Sequence, residues 1–156
     1  MFDAPLESLY TWTALSVAAT VLLGVVAGIP TTPAPDASGV ADTVDGVAVA
    51  DYDATAEYPI NADSVRLDAR RIGLRNEGGA AHATFAFGPI VPTTPGTRLG
   101  AVAVGAPPSD VFESPAAFRA AVADAHRTDS SWRPAAESLV VRHVSWEGTD
   151  VTVVSA

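Results

Sequence analysis

The chain has 156 residues, with 18 acidic against 9 basic side chains and a formal net charge of −9, a length that suits one small domain plus a short further segment. All nine basic residues are arginines, and lysine and cysteine are absent. Disulfides, thiolate metal sites and cysteine nucleophiles are therefore excluded. The acidic balance leaves no basic stripe to neutralise phosphates, so nucleic acid is not an expected partner, nor is a polybasic membrane-surface patch.

Positions 1–7, MFDAPLE, read as a short N-terminal tail. Positions 8–30, SLYTWTALSVAATVLLGVVAGIP, carry no charged residue. As a helix they would rise roughly 34 Å at 1.5 Å per residue, enough for a hydrocarbon core of about 30 Å. Tyr10 and Trp12 lie near one end, where interfacial aromatics are expected, and Pro30, Pro33 and Pro35 terminate the run. The expectation is a single transmembrane helix contacting membrane lipid, placing the protein in the cell membrane. A cleaved secretory signal is the competing reading, with a cut after Ala27, although its n-region would be basic and its apolar run shorter. The first arginine is Arg66, so the positive-inside rule is nearly silent. Orientation rests on the usual topology of a short N-terminal anchor, which places the C-terminal domain outside the cell.

Positions 31–43, TTPAPDASGVADT, read as an extended Pro/Thr/Ala linker, and the domain is expected over 44–156. A first strand takes in Val47, Val49 and Tyr52. A second spans 64–75, where Val65, Leu67 and Ala69 alternate with polar neighbours until the phase flips at Arg70-Arg71, as a bulge would cause. Asn76-Glu77-Gly78-Gly79 is a turn. Strands follow over 82–87, with Ala83, Phe85 and Phe87 on one face, and over 99–104. Ser114 N-caps a helix with Pro115 in its first turn, and Phe118, Ala121, Val122 and Ala125 form its apolar face. Positions 139–146 and 150–154 form a hairpin around Glu147-Gly148-Thr149. The predicted class is α+β: an N-terminal transmembrane helix, then a small antiparallel sheet with one packed helix.

No catalytic or metal signature is found. His82, His126 and His143 lie outside HExxH spacing. His82 and His143 both fall on predicted strands, where they would meet only if they share a sheet face; otherwise they are ordinary strand residues. His126 caps a helix C-terminus. The serines lack the GxSxG elbow, and neither a P-loop nor a dinucleotide fingerprint occurs. Asp51, Asp53 and Glu57 lack the glycine and terminal glutamate of a calcium loop. No enzymatic activity, cofactor or metal is expected. The cluster Arg66, Arg70, Arg71 and Arg75 stands out in an acidic chain. It is either a set of local ion pairs or a docking patch whose guanidinium forks take a neighbour's carboxylates.

A lysine-free, carboxylate-rich composition resembles proteins of extremely halophilic archaea, whose surfaces stay hydrated when salt screens charge. The order of apolar helix, Pro/Thr linker and small β-rich domain is similar to a type IV pilin or pseudopilin. In that family an acidic residue before the apolar run pairs with a neighbouring subunit's amine, which the resemblance places at Glu7. MFDAPLE lacks the short basic leader of archaeal prepilins. The stretches RIGLRNEGGAAHATFAFGPIVPTTPGTRL (71–99) and SPAAFRAA (114–121) resemble a haloarchaeal family of single-pass membrane proteins associated with type IV pilus-like or secretion systems. These resemblances imply a non-enzymatic, pilin-like or accessory subunit with protein partners or self-association. Small residues, including Gly24 and Gly28, would let its helix pack closely on others. Glu7, Gly24, Gly28, Arg66, Arg70, Arg71 and Arg75 are the expected subunit contacts. The alternative is a stand-alone, membrane-anchored, extracytoplasmic binding domain.

Overall fold

The computed structural model describes the backbone of residues 6–27, 32–50 and 52–156, with side chains over 10–22 in the first helix. The chain divides into two units, Met1–Thr31 and Thr32–Ala156.

The first unit holds α1 (Leu6–Ala27). Its hydroxyls fold back on the helix: Thr13 Oγ1 donates to the Tyr10 carbonyl, Ser16 Oγ to Trp12 and Thr20 Oγ1 to Ser16. The expected transmembrane span is corrected here. Among the described residues no helix is long and apolar enough to cross a membrane. The described side chains, 10–22, cover only roughly 20 Å of rise against a core of about 30 Å. Thr11, Thr13, Ser16 and Thr20 also dilute the run.

The second unit opens with α2 (Ala37–Ala48), where a linker and then a strand were expected. Asp36 is its N-cap, accepting from the Gly39 amide at 2.9 Å. Val40, Val44 and Val47 recur at helical spacing and are buried. Val49 follows as the exposed C-cap, and Tyr52 is exposed too. The first strand is instead β1 (Thr55–Pro59).

β2 (Ser64–Leu67) and β3 (Arg71–Asn76) replace the single bulged strand. They pair antiparallel, with Val65 opposite Leu74 and Leu67 opposite Ile72. The change of phase at Arg70-Arg71 is a tight turn, closed by Asp68 Oδ1, which accepts from the amides of Arg70 and Arg71. β4 (Gly79–Thr84) follows the expected turn and pairs with β3. It ends before Phe87, because the Asp45 carboxylate takes the amides of Ala86 and Phe87. Phe85 is buried while Phe87 is exposed, so the two do not share a core face.

β5 (Val91–Thr93) leads to α3 (Arg98–Ala103), α4 (Pro108–Val111) and α5 (Pro115–Arg127). α3 replaces an expected strand. Thr97 caps it by accepting from the Gly100 amide at 3.0 Å, which commits the Val/Ala-rich run to a helix. α5 forms as read, with Ser114 accepting from the Ala117 amide. β6 (Arg133–Pro134), β7 (Ser138–Trp146) and β8 (Thr149–Ser155) complete the chain. The β7–β8 turn holds Glu147 at φ 48° and Gly148 at φ 76°, the left-handed pair of a two-residue hairpin.

The class is α+β, but with two four-stranded sheets, ordered β1-β7-β8-β5 and β4-β3-β2-β6, and several helices rather than one. β5 runs parallel to β8, so the first sheet is mixed. Both its faces are covered. Leu139, Val141 and Val154 join α2 and the inner face of the second sheet (Val65, Leu67, Ile72, Leu74) in one core. Val91, Val144 and Val153 join Leu99, Val102, Phe112, Phe118 and Val122 in another. The second sheet therefore buries one face and leaves the other open.

Candidate functional site

That open face carries arginines of the cluster together with His82, read from the sequence as a strand residue, and Trp132, which the sequence reading did not single out. On antiparallel strands, side chains at paired positions point to the same side. Arg66 stands opposite Gly73, and Gly73 opposite His82, in one row across β2, β3 and β4. Gly73 leaves room there. A Cβ at this position would lie 2.7 Å from His82 Nδ1 and 3.0 Å from the Trp132 ring. Trp132 meets His82 edge-on at 6.0 Å between centroids. The Arg75 guanidinium stacks 4.3 Å from the Trp132 centroid, a cation–π contact. Arg66 Nε donates to Ser130 Oγ at 3.1 Å, bracing the loop that carries Trp132. Arg71 instead pairs with Asp68 at 3.3 Å, and Arg70 sits exposed in the β2–β3 turn. The cluster thus divides: Arg71 has the local ion pair, while Arg66 and Arg75 hold aromatic and hydroxyl partners on an exposed sheet surface. Trp132 carried no signal in the sequence beyond its type, since no periodic element contains it.

A cleft of about 470 Å³ opens between β5, the start of α3 and the end of α5, with Leu67 and Leu99 in its wall. Thr93 and Thr97 hydroxyls meet at 2.7 Å. The half-buried Arg133 donates from Nη1 to the main-chain oxygen of Ala156 and from Nη2 to the Thr93 carbonyl, each at 3.2 Å. Burial pushes its pKa below the ordinary arginine value, but a guanidinium stays charged across the working range. Asp124 and Asp129 on the same rim balance the cations. Next to Thr93 on the sheet, the buried Ser155 hydroxyl has no partner among the described residues.

The histidines do not converge. His82 lies on the second sheet. His143 Nδ1 contacts Thr152 Oγ1 on the first sheet at 3.3 Å, and His126 Nε2 meets the Ile90 carbonyl at 3.1 Å. Among the described residues no group of three His, Cys, Asp or Glu is placed to hold a metal. Of the acidic trio read against a calcium loop, Glu57 bonds Ser138 Oγ, and Asp53 faces Arg142 at 3.9 Å and the Ser145 amide. Asp51 lies outside the described residues. So do the side chain of Glu7 and position Gly28. Gly24 is described only as helix backbone.

Arg142 also donates to the carbonyls of Val102 and Ala106, each at 3.0 Å, closing the C-terminal end of α3. It is structural rather than a site residue.

Comparison with curated proteins and with solved structures gives no match. A family model, described as a family of unknown function (DUF7283), matches residues 3–144. That match spans all of α1 and the second unit up to the last strand pair, so the chain belongs to the DUF7283 family.

Proposed function

We propose that this protein is a non-enzymatic assembly subunit of pilin-like layout, whose α1 packs among the helices of other copies and whose second unit is the interaction domain. The observation that carries this reading is the surface of α1. Every described side chain from Tyr10 to Leu22 is exposed, including Tyr10 at 72%, Trp12 at 70%, Val17 at 65% and Leu22 at 66%. The hydroxyls of Thr13, Ser16 and Thr20 are spent on the helix's own carbonyls, so large apolar side chains dominate the exposed surface of its described residues. Such a helix needs cover all round.

The magnitudes suffice. Full cover of Leu15, Val17, Val21 and Leu22 contributes roughly 1.5–3 kcal/mol each. Four such side chains already offset much of the roughly 4–15 kcal/mol that association costs in translational and rotational freedom. A type IV pilus-like or secretion apparatus is the kind of assembly this layout suits. The test is the double variant Leu15→Asp/Val21→Asp in the full chain. We expect it to lose association with other copies while keeping the wild-type far-UV signature of the second unit; unchanged association would refute the reading.

The binding-domain alternative has one observation in its favour, the cleft with Thr93, Thr97, Arg98 and Arg133 on its wall. Its mixed charges, with Asp124 and Asp129 beside Arg98 and Arg133, leave it the weaker reading.

A further inference from the structure

We propose that the cleft between β5, the start of α3 and the end of α5 is a binding site for a small zwitterion with an apolar body, of dipeptide size, whose carboxylate meets Arg133 and Arg98 and whose ammonium meets Asp129 and Asp124. The site adds to the assembly reading and does not rest on it.

The two arginines are prepared for a carboxylate. Of the nine arginines, only Arg133 and Arg142 are not exposed. Arg142 has Asp53 at 3.9 Å, whereas Arg133 has no Asp or Glu partner among the described residues. A guanidinium taken partly out of water without a carboxylate is costly, and a ligand's carboxylate would supply one. Arg133 is also held in place. It spends one N–H on the Ala156 main-chain oxygen and one on the Thr93 carbonyl, out of the five a guanidinium carries. Donors remain for a ligand, with little side-chain entropy left to lose. Arg98 is steadied by the Phe112 ring, whose centroid lies 5.0 Å from its guanidinium, and it donates to no acceptor among the described residues.

The rest of the wall decides what else the ligand carries. Asp129 is exposed and unpaired among the described residues, and the Asp124 carboxylate is engaged only by the exposed Arg127 at 3.5 Å. These acids come from the end of α5 and the loop after it, the arginines from α3 and β6. An inorganic anion in the cleft would face two carboxylates, and a simple cation two guanidiniums. One molecule carrying both charges satisfies both sets. Leu67, Leu99, Ala121 and Ala125 supply the apolar wall for its body, and the volume of about 470 Å³ lies in the range of small-ligand sites. The floor lies at the carboxyl ends of the parallel strands β5 and β8, a recurrent place for such crevices. Beside Thr93 in register, Ser155 holds a buried hydroxyl with no partner among the described residues. This end of the sheet therefore has hydrogen-bonding capacity that its own side chains do not use.

The test is isothermal titration calorimetry of the full-length chain with leucylalanine, its N-acetyl form and its C-terminal amide. The free dipeptide should bind saturably. Acetylation removes the ammonium and amidation the carboxylate, and each should weaken binding at least about tenfold. Asp129→Asn and Arg98→Gln, both at exposed positions, should each weaken the free dipeptide similarly. Asp129→Asn should cost the acetyl form nothing further, and Arg98→Gln the amide nothing further, because the partner charge is already gone. No saturable heat with the free dipeptide overturns the inference. So does an acetyl form or an amide that binds as tightly as the parent, and so do variants that both bind like wild type. Leu15→Asp/Val21→Asp should leave the titration unchanged, so the failure of this site and the failure of the α1 reading are seen separately; binding abolished by that variant would place the ligand at α1 and overturn the assignment to the cleft.

Discussion

Replacing Gly100 by alanine sets two effects of opposite sign against each other. Gly100 lies in α3, where alanine would gain up to about 1 kcal/mol over glycine from helix propensity. It is also buried, and a Cβ there would come closer than 3.0 Å to the Thr94 carbonyl oxygen, a separation real Cβ atoms essentially never show. Thr94 cannot retreat freely, because that carbonyl accepts from the Thr97 amide and from Thr97 Oγ1 at 2.8 Å. The Thr97 hydroxyl in turn caps α3 at the Gly100 amide. Overpacking against backbone costs roughly 1–3 kcal/mol, so the clash outweighs propensity and Gly100→Ala should destabilise by about 1–2 kcal/mol. Gly46 in α2 provides the contrast. Nothing lies within 4 Å of a Cβ at that position, so Gly46→Ala should stabilise by roughly 0.5–1 kcal/mol. Urea denaturation of the full chain, followed by far-UV circular dichroism, measures both. A Gly100→Ala midpoint at or above wild type would refute the packing described for α3.

Three further outcomes follow from the same packing. Phe118 is wholly buried and meets the Phe112 ring at 5.3 Å, so Phe118→Ala should cost about 3–5 kcal/mol in urea unfolding; a loss under about 1 kcal/mol would show that α5 is not docked as described. The Gly39 amide, then the Tyr58 hydroxyl, holds the Asp36 carboxyl below its ordinary 3.8. A lowered folded-state pKa stabilises above pH 3.8 and the benefit is lost as pH falls through the folded value. Asp36→Asn should therefore flatten the acid limb of a stability–pH profile, and a limb as steep as wild type would contradict the cap. Gly73→Ala should displace Trp132 from the sheet and shift its emission toward that of a solvated indole, with little change in the unfolding midpoint; an unaltered spectrum would count against the Arg75–Trp132–His82 stack.

The parts legible in the sequence are those whose signals are local and redundant. Ser114, Pro115 and the apolar spacing to Ala125 mark α5 three times over, and Glu147-Gly148 sits between two alternating runs that have no other use. Asn76 to Gly79 likewise announced the β3–β4 turn. α2 was missed although Val40, Val44 and Val47 repeat at helical spacing, because the prolines at 33 and 35 and the surrounding Ala, Thr and Ser dominate the composition. Its cap, Asp36, forms only where the chain meets Gly39 and Tyr58. α3 and the β2–β3 turn failed for a shared reason. Short runs of Val, Leu and Ala carry no decisive period, and a single side chain (Thr97 in one case, Asp68 in the other) chose the backbone path. The arginine cluster was visible as composition, but its division into an ion-paired Arg71 and a stacked Arg75 depends on Trp132, more than fifty positions away in the chain. The apolar character of α1 was plain from its side chains, whereas the inference of a membrane span went beyond the described helix.

The most direct test of the central claim is a cysteine scan along α1, clean because the chain has no cysteine of its own. Single substitutions at Ala14, Leu15, Ser16, Val17 and Ala18 step around the helix by roughly 100° each, so the five sample every face. If α1 is covered all round by helices of other copies, oxidation of the full-length assembly should yield covalent dimers at each of the five positions. Dimers confined to one stripe, or none at any position, would contradict the assembly function proposed for this protein.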